Sequence, residues 1–185
     1  MSATVVKLKS LLTSSDAAGN VFRITLFAVL TAAAAQISIP VKPVPFTLQS
    51  VVVVLAGALL GAKKGALSQI MYLALGLTGL PVFAMSADAT VGFARLIGPT
   101  GGYLLAFPVA AYITGLIIEN YKSTVASVLS ILAGNAVILL SGVAFLNIFY
   151  VSDLNQALFV GAGIFSLWSV VKMALTYGIY KTVKK

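Results

Sequence analysis

The feature that most restricts this chain is a succession of apolar runs, each about as long as a membrane is thick and most of them closed by charge or proline. The first is Val21–Ile39, broken only by Arg23 and ended by Pro40. The second is Phe46–Ala62, closed by Lys63 and Lys64, and the third is Ala66–Met85, with Pro81 marking a break near its end. The fourth is Thr100–Ile118, closed by Glu119, Asn120, Tyr121 and Lys122. The fifth and sixth are Val125–Phe149 and Leu158–Tyr180. A hydrocarbon core roughly 30 Å thick takes about 20 helical residues to cross. Backbone in lipid must satisfy its own hydrogen bonds, so uncharged runs of this length read as spanning helices. The chain is therefore expected to be an all-α integral membrane protein, a bundle of six transmembrane helices. It would form a single membrane domain over residues 21–185 behind a cytoplasmic segment over 1–20. Core helices of a water-soluble protein are also apolar, but the connections here are too short to supply a polar surface. Composition agrees: 60% of the 185 residues are apolar and 9% are charged, where a soluble domain carries about 25%.

Residues 1–20 hold no long apolar stretch and contain Asp16, so no cleavable signal is evident. Val5, Leu8, Leu11 and Leu12, with Lys7 and Lys9, fit a short interfacial amphipathic turn and equally a disordered tail. The six runs do not divide into inverted halves, which argues against a repeat-built secondary transporter.

Lysines and arginines orient such a bundle, because they gather in cytoplasmic loops. With the N-terminus inside, the inner side holds Lys7, Lys9, Arg23, Lys63, Lys64, Lys122, Lys181, Lys184 and Lys185, and the outer side holds Lys42 and Arg95. Lys172 remains, inside a span. Both termini are thus expected in the cytoplasm, at the cell (plasma) membrane. The inner connections are terse, Lys63–Gly65 and Glu119–Thr124. The outer ones, Pro40–Pro45 and Pro81–Pro99, are longer and rich in proline and glycine. Long ordered connections often form lids or binding loops, so the outside reads as the substrate side, although external loops also drift without function.

Several chemistries are excluded. There is no histidine and no cysteine, which removes the usual metal-ligand sets, thiol catalysis and His-based triads. The acids are Asp16, Asp88, Glu119 and Asp153 alone, too few and too scattered for a paired-carboxylate active site. No Gly-x-x-x-x-Gly-Lys-Ser/Thr phosphate loop occurs, so the chain is not expected to be an enzyme. A concentrating transporter built this way would draw its energy from another subunit, and no cofactor is implied. The net charge of +8 does not suggest nucleic acid, because the bases lie between apolar runs instead of forming one basic face.

Lys172 is the sharpest single signal. It stands about nine residues before Lys181, roughly 13 Å along a helix, which is close to the midplane. An ionisable group at that depth costs at least about 2.5–3.5 kcal/mol and normally faces a cavity or a partner. Ser169 and Thr176 share its helix face, and Trp168 is four residues before it. Two readings stand: a cation for a substrate carboxylate beside an aromatic wall, or a lysine that snorkels or bonds backbone carbonyls. Arg95 is the other candidate for an anion, unless it pairs with Asp88. Asn135 at mid-depth of the fifth run, Gln49 with Thr47 at the head of the second, and Gln69 with Tyr72 on the third suit either a polar ligand or interhelical hydrogen bonds. Ala28-x-x-x-Ala32, and Gly57, Gly61 and Gly65, permit close helix approach within the chain or to a partner.

The stretches Pro45-Phe46-Thr47-Leu48-Gln49, Gly76-Leu77-Thr78-Gly79-Leu80-Pro81-Val82-Phe83 and Gly98-Pro99-Thr100-Gly101-Gly102-Tyr103-Leu104, on a six-span layout, resemble the BioY family. These are the biotin-binding S components of energy-coupling factor (ECF) transporters, and the resemblance runs from about residue 20 to the end. It implies a membrane subunit that captures biotin near the outer face. Two ATPase subunits and a transmembrane coupling subunit would be its partners, and the first outer loop would be a lid. It also implies that Ala28 and Ala32 meet the coupling subunit. The family's sixth span usually carries an acid three residues before its lysine, where this chain has Ser169. Biotin offers a carboxylate, an apolar thioether ring and a ureido group. Lys172 is the candidate for a charged or polar end. Asn135, Gln49 and the Gly101-Gly102 backbone are candidates for the ureido group or tail, and Tyr103, Phe46 and Trp168 for packing. An S component for another vitamin, a stand-alone facilitator and a non-transport assembly subunit are the competing expectations.

Overall fold

The computed structural model describes residues 16–39, 41, 44–85, 91–151, 153–158 and 165–184. The N-terminal amphipathic stretch, Lys42 and Asp88 lie outside these, so the Arg95–Asp88 alternative does too.

Helix α1, Ala17–Gln36, starts at Asp16, whose side chain accepts from Gly19 N at 2.8 Å as an N-cap. The first apolar run was expected to stay helical to Ile39. It leaves the helix at Ile37, and Ser38–Ile39 (β1) pairs antiparallel with Phe46–Thr47 (β2), Ser38 opposite Thr47 and Ile39 opposite Phe46. Pro40 explains the break, since a residue before proline is pushed out of the helical region. The second helix consequently starts at Gln49 and not at Phe46.

Helix α2, Gln49–Leu60, and helix α3, Ala62–Leu77, meet at Gly61. The inner connection thus falls at Gly61, and Lys63–Gly65, read from sequence as a loop, is the first turn of α3. Gly61 has φ +85°, a conformation that glycine adopts without penalty. Glu119, from the end of another helix, accepts from Ala62 N at 3.0 Å and so caps α3 from outside. The third run is helical only to Leu77. Thr78–Met85 is an irregular segment whose carbonyls are tied back to the bundle: Gln36 Nε2 donates to Pro81 O at 3.2 Å and Tyr72 OH to Val82 O at 3.2 Å.

Short helices α4, Phe93–Ile97, and α5, Gly101–Leu105, lead into α6, Phe107–Asn120. Helix α7, Thr124–Leu146, begins at a Ser123 cap and runs on through a π-helical turn over Asn147–Val151. Helix α8 is Leu154–Leu158 and α9 is Phe165–Val183, so the sixth run is helical at both ends but not described between them. Among the described residues, three helical stretches are long and apolar enough to cross a membrane: Ala17–Gln36, Gly101–Asn120 and Thr124–Val151.

Helix α2 lies in the middle, packed on α1, α3, α6, α7 and α9. Small residues make this possible. A Cβ on Gly57 would stand 2.1 Å from Ala111 O of α6, and one on Gly65 2.7 Å from Gly57 Cα. The recurring glycines therefore serve approach within the chain. The buried face of α1 is Ala28, Thr31, Ala34 and Ala35, and Gln69 of α3 binds Thr31 Oγ1 (3.3 Å) and Ser68 Oγ (3.0 Å). Gln69 is thus interhelical glue. Meanwhile Val21, Val29, Leu30, Ile70, Val109, Leu129, Leu140 and Val170 are exposed. Small and polar groups inside with large aliphatics outside is the pattern of a bundle solvated by lipid.

Candidate functional site: a cavity with two buried cations

The heads of α2 and α5–α6, the middle of α7 and the first half of α9 enclose a cavity of about 630 Å³, counting the space at its open mouth. Two irregular pieces complete the wall, Val44–Thr47 at the β-hairpin and Ala84. Most of the wall is apolar, from Val44 and Ala84 to Phe107, Ile138 and Leu139.

Two cations line it, Lys172 from α9 and Arg95 from α4, respectively 5% and 3% exposed. Burial to this degree sets aside a snorkelling Lys172. Arg95 donates from Nη2 to Ala84 O at 2.7 Å, which pins the Ala84 loop against the site. No acid lines the cavity among the described residues. Ser169, one turn from Lys172, is on the wall, so this position contributes a hydroxyl and no negative charge. The described wall thus carries two buried cations and no acid.

A chain of hydrogen bonds supports the opposite wall. Thr47 Oγ1 donates to Gln49 Oε1 at 3.1 Å, Gln49 Nε2 to Tyr72 OH at 2.5 Å, and Tyr72 OH to Val82 O. Tyr72 is fully buried, edge-on to Phe83 (5.5 Å between centroids) and stacked on Phe107 (6.3 Å). Gln49 is thereby fixed with one amide hydrogen left for an occupant. Asn135 also lines the cavity. Its Nδ2 donates to Ile131 O at 2.8 Å, which leaves its amide oxygen and second hydrogen. Tyr103 lines the cavity too, its ring held flat against Gly142, where a Cβ would come within 2.2 Å.

Two polar wall residues were not anticipated, Ser50 and Thr100, and the apolar wall from Val44, Pro45, Ala84, Leu104, Phe107, Ile138 and Leu139 was not anticipated either. Both hydroxyls are buried and have no hydrogen-bond partner among the described residues. A buried polar atom is nearly always paired, so both are suited to an occupant. Thr100 lies inside a motif quoted above and Ser50 follows Gln49 directly, but nothing in their type distinguishes them from structural hydroxyls.

Gly101 and Gly102 stand away from the wall. A Cβ on Gly101 would lie 1.8 Å from Leu96 O, one on Gly102 2.2 Å from Phe145 Cβ, and Ser141 Oγ donates to Gly102 O at 2.9 Å. They seat α5 against α4 and α7. Phe46 packs on the main core beside the cavity. Trp168 is half-buried off the wall, and its indole N–H has no partner among the described residues. Ala28 was expected at a partner interface. It has no exposed surface and packs in the main core, with Ala32 half-buried against it, because small residues there let the rest of the bundle approach α1. The exposed positions of that stretch are Val29, Leu30 and Ala33.

Comparison with known proteins decides the family. A model of the BioY family matches residues 6–185. The chain belongs to the BioY family. Among its relatives is the biotin transporter BioY of Thermotoga maritima, 41% identical over 160 residues, which cover 86% of this chain and 92% of that one. The biotin transporter BioY2 of Lactococcus lactis is 36% identical over 154 residues, 82% of each chain. A crystal structure of the S-component for biotin from an ECF-type ABC transporter superposes with a TM-score of 0.81 at 25% identity, covering all of this chain and 94% of that one. This BioY-family chain is a membrane protein and has the fold of an ECF S component.

Proposed function

We propose that this chain is the biotin-capturing membrane subunit of an ATP-driven ECF importer. It binds and hands on its substrate without chemical change and is not an enzyme. The observation that carries the reading is the cavity itself: an apolar, aromatic-walled space with Arg95 and Lys172 on its wall, amides at Gln49 and Asn135, and idle hydroxyls at Ser50 and Thr100. Biotin presents a carboxylate, an apolar ring and a ureido group to match these three kinds of wall. The names of the relatives agree. Equilibrium binding to the purified chain tests it. Biotin is expected to bind at nanomolar concentration. Binding of riboflavin or thiamine in that range, with none of biotin, would overturn the substrate.

The topology we propose has six crossings, α1, α2, α3, α5–α6, α7 and α9, with both termini in the cytoplasm of a multi-pass plasma-membrane protein. The Glu119–Ala62 bond ties the α2–α3 turn to the end of α6, and Lys122, Lys181 and Lys184 line one groove. Lys63, Lys64, Lys122, Lys181 and Lys184 thus gather at one end, as the positive-inside rule asks, while Arg95 stands at the other. In this arrangement the cavity mouth, at the β-hairpin and Ala84, faces outward. Residues 1–20 form the cytoplasmic lead-in, and 21–185 form one domain. Two ATPase subunits and a transmembrane coupling subunit would complete the importer. The coupling subunit would meet α1 on its exposed Val29–Ala33 face and the flank of Ala32, while Ala28 sets the spacing beneath.

A further inference from the structure

A second cleft lies at the end of the bundle away from the cavity mouth, where α6 stops, α7 begins and α9 ends. It is an open cleft of about 1000 Å³, counting the solvent space at its mouth. Lys122, Lys181 and Lys184 line it, with Tyr177, Tyr180 and Ser127. No acid lines it among the described residues, and Glu119, close by in sequence, is turned to Ala62 N. Lys184 Nζ donates to Tyr180 OH at 2.7 Å and stands 5.0 Å from the ring centre, so one ammonium is already held over the cleft. Tyr180 itself is buried in a second apolar cluster with Val51, Leu55, Ala58 and Ile118. Tyr121, also on the lining, is exposed.

We propose that this cleft binds the phosphate headgroup of an anionic phospholipid. Three lysines and a cluster of hydroxyls match a phosphate diester. Tyrosines belong at the headgroup level of a bilayer, and basic pockets between helices on the cytoplasmic side take anionic headgroups. In the topology proposed above the cleft opens at the headgroup level of the cytoplasmic leaflet, where anionic headgroups are concentrated, and this favours lipid over free phosphate or an acidic peptide. Near a membrane each lysine contributes roughly a fivefold change in affinity.

Native mass spectrometry of the full chain in detergent, titrated with dioleoyl phosphatidylglycerol or dioleoyl phosphatidylcholine, tests this. Phosphatidylglycerol is expected to bind at least about tenfold better. The preference should fall roughly fivefold in Lys122→Gln and disappear in the Lys122→Gln, Lys181→Gln, Lys184→Gln triple variant, while the triple arginine variant keeps it. Melting by circular dichroism checks that each variant is folded. Equal binding of the two lipids, or a preference that survives the triple glutamine change in folded protein, would overturn the proposal. Lysine-dependent binding of inorganic phosphate without a lipid preference would assign the cleft to a free anion instead. Lysine-dependent binding of a polyglutamate peptide without that preference would assign it to an acidic protein. Either result overturns the lipid.

Discussion

Lys172 and Arg95 were legible in the sequence because charge inside or beside an apolar run has few physical excuses. What the sequence could not show is that both reach one cavity and that no acid joins them on its described wall. Lys172→Ala should weaken biotin binding by about 10- to 150-fold, the worth of a hydrogen bond to a charged group at about 1.5–3 kcal/mol, as read by isothermal titration; unchanged affinity removes Lys172 from the site. The hydroxyls of Ser50 and Thr100 were invisible at the level of residue type, since serine and threonine line most helix contacts in membranes. Thr100→Val is close to isosteric and removes an idle polar atom. It should leave the unliganded protein as stable as before or more so, yet weaken biotin binding by about 2- to 12-fold, a neutral hydrogen bond of about 0.5–1.5 kcal/mol. A thermal melt with and without biotin reads both, and a loss of stability without ligand would contradict the assignment.

At the scale of elements, helix ends were harder to read than helix middles. α1, α5–α6 and α7 follow their apolar runs closely because length and composition suffice there. Ile37–Ile39, Phe46–Thr47 and Thr78–Met85 also lie in apolar runs but are not helical, and only Pro40, Pro45 and Pro81 hint at it. The glycines show a second limit. Their spacing said that helices approach closely without saying which, and the answer for Gly57 is α6. Gly57→Ala would drive a methyl into Ala111 O. It should cost about 1–3 kcal/mol, the range for overpacking, and lower the melting temperature while the folded fraction binds biotin normally. Ala28→Leu should act the same way, since Ala28 has no exposed surface, whereas Ala33→Leu should spare both folding and biotin binding and impair uptake by the assembled importer. An Ala28→Leu protein that melts and binds as the parent does would return Ala28 to the partner surface.

For the whole molecule, topology and energy supply are the testable properties. The chain has no cysteine, so single-cysteine variants report sidedness without background. In intact cells Met85→Cys, at an exposed position, should react with a membrane-impermeant maleimide, and Lys122→Cys should not; the reverse pattern would invert the bundle. Liposomes holding this chain alone should bind biotin but not concentrate it. The β-hairpin carries a last consequence for the molecule, and it is kinetic. The cavity mouth is bordered by a hairpin of two residue pairs and by Ala84, whose carbonyl a hydrogen bond from Arg95 holds; neither the hairpin nor Ala84 belongs to a helix. An occupant can therefore exchange by loosening a handful of loop contacts while every helix keeps its packing. Substitutions in the hairpin should therefore change the residence time of the ligand while leaving the groups that recognise it in place.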